Sequence, residues 1–401
     1  MNILFLSSAY GKGGPATNQM WTELCEHFAD SHSVSVLTAA WHVAAPAWRE
    51  ENGVQICSIG SWILPKIKNR HLWEGVLWLL LCTKILGMKG GCDLVICVDT
   101  PKFSVILGWL AKWKSHGKLL MWVMDLPLEQ VVRRKKRAVR LSAFVASILN
   151  RLYYRSLSLC NRVVVLGSCM RKVCEENSAK VLRVIGPWAD DPKIFNLSFS
   201  DARAENGFPE KFTIAYFGYA GDWHDFELIL EAIPELINKY PLQFIFAGVG
   251  PGIDRVAAEK EKNCWGNVQI KGWVPRAELS SLPQCADLHL VSLKKSMLGT
   301  CVPSKTYGAL AYGRPVVFIG PKECQAAQDI LEANAGRVVE NADKLVDAVE
   351  EFLANRDKLE ICSRNARKAF LEKHCAQAVF RKWDQLLEEE VLRPRKKFKQ
   401  I

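Results

Sequence analysis

The residues of this chain best suited to holding an anion lie in four glycine-bearing loops. Gly299-Thr300-Cys301-Val302-Pro303-Ser304-Lys305 leads into a short helical pattern that stops at Gly313, and Pro315 opens a strand. Ser304 is a helix-capping type, and the open N–H groups of a first turn together with Lys305 could grip a diphosphate. Ordinary capping beside a surface lysine is the alternative. Gly218, Gly221 and His224 form a second loop that could hold a phosphate or ribose, or be a capped turn. Gly248, Gly250 and Gly252 form a third, where the backbone could approach a ligand closely or simply turn. Gly13 and Gly14 sit in a fourth, before Pro15, a residue suited to a helix's first turn. This last loop is not G-x-G-x-x-G, and no acid follows the second strand where an adenosine ribose would be held, so a dinucleotide is disfavoured. Asp125 is the best carboxylate for work at a reacting centre, with a purely structural role as the alternative.

These loops need elements to position them. Apolar runs alternate with amphipathic helical patterns from end to end, the mark of a parallel sheet covered on both faces. Strands are expected at 2–7, 33–38, 54–58, 93–98, 118–124 and 162–166, with a helix at 15–29. Residues 189–211 are polar, with prolines and a glycine, and read as a linker. The rhythm then restarts with strands at 212–217, 242–247, 268–271, 288–292 and 315–319. Helices are expected at 225–239, 276–284, 304–312 and 342–354, and the chain is helical from about 357. The expected fold class is α/β with two Rossmann-like domains facing a cleft and a C-terminal helical segment. The domains are placed at 1–195 and 196–375, with 376–401 a helix and basic tail that packs back on the first. Ligands of such sheets bind outside the carboxyl ends of the strands, where all four loops lie.

Composition narrows the classes. The 401 residues hold 14 scattered cysteines without repeated C-x-x-C pairs, which read as reduced, buried thiols and argue against structural zinc. No signal peptide is apparent at Met1–Gly14. Residues 76–82 are the most apolar run, too short to span a bilayer and read as a buried core helix. Residues 1–195 carry 25 lysines and arginines against 14 acids, whereas residues 196–401 carry 28 of each. The excess peaks at Arg133, Arg134, Lys135, Lys136, Arg137 and Arg140, and Phe144, Val145 and Ile148 follow at helical spacing. A basic stretch joined to an amphipathic helix suits an anionic membrane surface. With no aromatic-interleaved motif, nucleic acid is disfavoured.

The segment V-P-S-K-x-Y-G-x-L-A-x-G-R-P-V at positions 302–316 resembles the donor-site helix of family 4 glycosyltransferases. It is most similar to the branch that builds capsule, O-antigen and colanic-acid-type polysaccharides. Gly13–Thr17, Val98–Ser104, Leu119–Glu129, Val163–Lys172, Tyr216–Ile233 and Ala286–Leu293 resemble that branch in order, over nearly the whole chain. The resemblance implies a GT-B enzyme that moves a sugar from a nucleotide-sugar donor, UDP-sugar foremost, to a lipid-linked glycan acceptor. It implies retention of configuration, no metal or other cofactor, and a peripheral place on the cytoplasmic face of the membrane. Gly218, Gly221, His224, Gly248, Thr300, Pro303, Ser304 and Lys305 are then donor-binding. Trp273 and Val274 flank the base, Gly13 and Gly14 line the acceptor side, and Asp125 is the catalytic candidate. Many members carry two glutamates where Thr300 and Gly308 stand, an arginine and lysine where Tyr219 and His224 stand, and a histidine in place of Met124. Asp222 would add a negative charge beside a diphosphate. These departures leave a non-catalytic scaffold as an alternative; an epimerase is the other, though no acid–base set is evident for one.

Overall fold

A computed structural model describes residues 1–12, 16–39, 48–60, 70–133, 140–192, 199–274 and 281–391. The chain divides into two compact units. Unit 1 is Met1–Gly186 with Phe380–Ile401, and unit 2 is Pro187–Val379.

Unit 1 holds strands β1 (Asn2–Leu6), β2 (Ser33–Ala39), β3 (Trp48–Glu51), β4 (Val54–Ile59), β5 (Leu94–Val98), β6 (Lys118–Val123), β7 (Arg162–Val165) and β8 (Leu182–Val184). Their order is β3-β4-β2-β1-β5-β6-β7-β8, parallel except for β3, which runs antiparallel to β4. The helices are α1 (Ala16–Ala29), α2 (Arg70–Gly87), α3 (Ser104–Ser115), α4 (Pro127–Arg133), α5 (Arg140–Ser156) and α6 (Ser168–Glu176). The step from β1 to β2 runs one way along the sheet, and the steps β4 to β5, β5 to β6 and β6 to β7 run the other. Right-handed crossovers therefore put α1 on one face and α2, α3 and α5 on the other. The central strands are apolar on both sides, as a doubly covered sheet requires: every residue of β5 is buried.

Unit 2 holds α7 (Phe199–Glu205), β9 (Phe212–Phe217), α8 (Phe226–Lys239), β10 (Leu242–Ala247), α9 (Pro251–Lys262), β11 (Val268–Lys271), β12 (Leu288–Ser292), α10 (Lys305–Ala311) and β13 (Val316–Ile319). After these come α11 (Gln325–Ala333), β14 (Gly336–Val339), α12 (Ala342–Ala354), α13 (Arg356–Ala369) and α14 (Ala376–Val391), the last crossing back into unit 1. The sheet is wholly parallel in the order β11-β10-β9-β12-β13-β14. Its core joins β9, β10 and β12 to α8 and α12 through Tyr216, Phe226, Phe246, Leu290 and Phe352.

Three expectations are corrected. The boundary placed at 195/196 falls between Gly186 and Pro187, and the expected linker contains α7, whose Ala202 and Arg203 are buried. Arg203 is held there by the buried Asp287, which also accepts from the Thr213 amide at 2.7 Å. The run at 76–82 is not buried all round. Its helix α2 buries Trp73, Leu77, Leu81 and Ile85 but exposes Leu72, Leu79 and Leu86. Strands β3, β8 and β14 were not foreseen, being three or four residues long with mixed burial. The helix expected at 276–284 lies mostly outside the described residues; Leu282–Cys285 form a 3-10 turn.

Candidate functional site

The sheet of unit 2 reverses its build direction between β9 and β12, which opens a crevice at their carboxyl ends. The loops after β9, β10 and β12 converge there. Gly218 follows β9 with φ +102°, and Gly248 follows β10 with φ +156°. A Cβ on Gly248 would stand 2.0 Å from the Gly218 carbonyl oxygen, so the two backbones meet at a distance only glycine permits. The Gly218 amide donates to Ala247 at 2.8 Å and the Gly248 amide to Lys271 at 3.1 Å.

Lys305 enters this crevice from the first turn of α10. Its side chain runs past Gly218, where an added Cβ would lie 3.2 Å from Cε, and over the Tyr216 ring, 5.5 Å from Nζ to centroid. Nζ ends 3.1 Å from His224 Nε2, and His224 Nδ1 lies 2.5 Å from the Ser292 carbonyl oxygen at the end of β12. A carbonyl only accepts, so Nδ1 carries the proton and Nε2 turns its lone pair toward the ammonium. Burial, then the Lys305 charge, pushes His224 down to about 3, so the imidazole is neutral. Burial pushes the Lys305 ammonium down to about 8, which leaves it charged at neutral pH. The result is a desolvated cation held by a neutral acceptor, with no carboxylate contacting its Nζ among the described residues.

α10 is anchored from behind. Tyr307 donates its hydroxyl to Asp329 Oδ2 at 2.8 Å and sets its ring 4.6 Å from that of His374. In the first turn, Thr306 donates to Pro303 and Tyr307 to Ser304, while the amides of Ser304 and Lys305 have no acceptor among the described residues. Ser304 does not cap the helix as expected. Its backbone is itself helical (φ −65°, ψ −20°) and its hydroxyl makes no capping bond. Thr300 is also not a ligand-facing side chain: it is fully buried and donates its hydroxyl to Met297 at 2.8 Å. Pro303 is buried beside it, Gly221 backs the Trp223 ring, and Tyr219 and Asp222 are exposed on the second loop. Trp273 stands exposed after β11, whereas Val274 packs on a small cluster around Phe208 and Leu282.

In unit 1, Asp125 follows β6 and is paired with an acid the sequence reading passed over. Asp99, after β5, accepts the amides of Met124 at 3.2 Å and Asp125 at 3.0 Å. Burial raises Asp99 to about 6, and burial followed by the Asp99 charge raises Asp125 to about 8. Asp125 is therefore a neutral acid at pH 7, able to donate a hydrogen bond. Asp99, Phe103, Leu126, Asn150 and Tyr153 wall a small cavity here, and the buried Tyr153 hydroxyl has no partner among the described residues. The signal for Asp99 was present: an acid directly after a fully apolar strand. Gly13, Gly14, Arg134, Lys135, Lys136 and Arg137 lie outside the described residues, as does the side chain of Arg140. Arg133 is turned onto Glu129 at 2.7 Å, and Glu129 also takes Asn150 at 2.6 Å, bracing α4 against α5. Among the described residues, no three histidine, cysteine, aspartate or glutamate side chains converge as metal ligands.

Two parallel-sheet Rossmann-like units, the second with its loops gathered at the switch point, define the GT-B class, and the protein is a glycosyltransferase of that fold. More particularly, residues 211–355 match the family model of glycosyl transferases group 1, so unit 2 carries that domain. The probable glycosyltransferase WbjE of Pseudomonas aeruginosa is 27% identical over 278 residues, 67% of this chain and 68% of that protein. Among solved structures, sucrose-phosphate synthase of Thermosynechococcus elongatus superposes with a TM-score of 0.74 at 17% identity, covering 97% of this chain and 98% of its own. WaaG, a glycosyltransferase involved in lipopolysaccharide biosynthesis, gives 0.71 at 15% identity, covering 96% and 99%. Anabaena Alr3699/HepE in complex with UDP-glucose gives 0.70 at 14% identity, covering 97% and 100%. At such identities these structures share the fold.

Proposed function

We propose that the chain transfers a sugar from a nucleotide-sugar donor, UDP-sugar foremost, to a lipid-linked glycan in surface polysaccharide assembly, at the cytoplasmic face of a membrane. One observation carries the reading: the desolvated Lys305 ammonium at the switch point, with the Ser304 and Lys305 amides that have no acceptor among the described residues and with the Gly218–Gly248 contact. Negative charge grows on the leaving diphosphate as the sugar–oxygen bond breaks, and a fixed cation with aimed N–H groups stabilises that charge without reorganising. His224 keeps Lys305 aimed and, being neutral, does not compete for the anion. Trp273 flanks the base, Gly13 and Gly14 serve the acceptor side, and Asp125 donates a hydrogen bond to a reacting sugar. Holding the diphosphate this way calls for no metal. Retention of configuration and the polysaccharide branch rest on the motif resemblance. HepE with UDP-glucose and WaaG in lipopolysaccharide biosynthesis support the donor and product class. The basic run through Arg140 meets anionic lipid.

Thermal shift and calorimetry against UDP-, GDP- and dTDP-sugars test the donor. One of them binds the wild type, and Lys305→Ala weakens it by ~30-fold or more, the worth of a charged hydrogen bond. Equal binding by both proteins, or no binding of any nucleotide sugar, sinks the proposal.

A further inference from the structure

Unit 1 turns a second apolar side to solvent. On α3, Ile106, Trp109 and Trp113 recur at i, i+3 and i+7, and all three are exposed, Trp113 by 62%. On α2, Leu72, Leu79 and Leu86 recur every seven residues, and Leu79 is 66% exposed. On α5, Phe144, Ile148 and Leu152 recur every four, and Phe144 is 65% exposed. Each helix already buries an opposite stripe, so these side chains add nothing to the core. The three helices cover the same face of the sheet and are laced together. The Lys114 ammonium donates to the Leu86 carbonyl at the end of α2, Lys112 Nζ reaches the Leu159 carbonyl oxygen after α5 at 3.2 Å, and Phe103 before α3 stacks edge-on to Tyr153 of α5. The exposed stripes thus lie on the outer sides of neighbouring helices, and so many large apolar side chains turned outward mark an interaction surface.

Charge decides between the two occupants of such a surface. The sequences of α2, α3 and α5 hold seven lysines and arginines and one acid, Glu74, which is itself bridged to Lys102 at 3.2 Å. A second copy would bring the same positive charge against it, whereas anionic lipid complements it. Tryptophan and leucine beside lysine and arginine are what a bilayer's headgroup boundary accepts. We infer that the outer faces of α2, α3 and α5 seat unit 1 on an anionic phospholipid bilayer, with Trp109 and Trp113 at headgroup depth. This deepens the membrane reading given above. It moves the apolar contact off the basic run and onto the helix faces.

The test is co-sedimentation of the full chain with vesicles of equal phosphatidylcholine and phosphatidylglycerol, and with phosphatidylcholine alone. The wild type binds the mixed vesicles and not the neutral ones. Trp109→Ser with Trp113→Ser cuts that binding at least about tenfold and leaves the melting temperature unchanged. Leu79→Gln on α2 is a second probe should the double variant fold poorly. If wild type and both variants sediment equally with mixed vesicles, the inference fails while the membrane reading survives. If the wild type sediments with neither vesicle, both fail. If the tryptophan changes instead dissolve a dimer in analytical ultracentrifugation and leave vesicle binding intact, the face belongs to a second copy and the inference is overturned.

Discussion

Lys305 shows how one side chain can be both buried and useful. Burial costs the ammonium solvation, and the neutral His224 returns part of it as a hydrogen bond without cancelling the charge. Only the protonated form attracts a diphosphate, so the dissociation constant of the bound nucleotide sugar should rise about tenfold per pH unit above pH 8. Calorimetry at pH 7, 8 and 9 checks this, and Lys305→Arg should flatten the dependence. Asp125 has the opposite linkage. Its folded value near 8 lies above the unfolded value near 4, so the native state holds the extra proton between them, and stability falls as pH rises through that window. Asp125→Asn should therefore raise the melting temperature at pH 8.5 while lowering turnover at least ~100-fold if the acid contacts a reacting sugar. Calorimetric melts and an initial-rate assay together separate the two effects.

The elements put these groups in place through close backbone contact. Gly248→Ala drives a methyl into the Gly218 carbonyl from a backbone angle that L-residues rarely adopt. We expect a loss of ~2 kcal/mol or more, read as a lower midpoint in denaturant unfolding, with donor binding reduced because both glycine loops move. Much at this scale was legible in the sequence. β9, β10 and β12 have the bounds their apolar runs imply, since burial on both faces leaves little room for polar residues. β14, by contrast, is Gly-Arg-Val-Val, with Arg337 bonded outward to Glu351, and four such residues carry no strand signal. The sequence pointed to Lys305, His224, Gly218 and Gly248. It misread the hydroxyls of Thr300 and Ser304, because a hydroxyl's direction depends on local backbone angles rather than residue type. It passed over Asp99, an acid visible after an apolar strand, whose bonds to the Met124 and Asp125 amides appear only once β5 and β6 lie side by side. The outward leucines of α2 were hidden for a similar reason: an apolar run reads as core until one knows which side of the helix meets the sheet.

At the scale of the molecule, the chain leaves unit 1 at Gly186 and re-enters it at Phe380. The returning α14 is built into unit 1. Trp383 is fully buried with its ring 4.9 Å from that of Trp122, Phe380 stacks on His27 at 4.4 Å, and Asp384 accepts from His27 Nε2 at 2.9 Å. A chain ending at Val379 should lose unit 1 as a cooperative unit by ~4 kcal/mol or more, since an aromatic core residue alone is worth 3–5. Unit 2 should still give a nucleotide-dependent thermal shift, visible as one surviving transition in calorimetry. The same return path sets an order of events during synthesis. Every residue of unit 2 leaves the ribosome before Trp383 does, so the second half to be named can be the first to finish folding. The amino-terminal half must wait, with Trp122 uncovered, until α14 has been made.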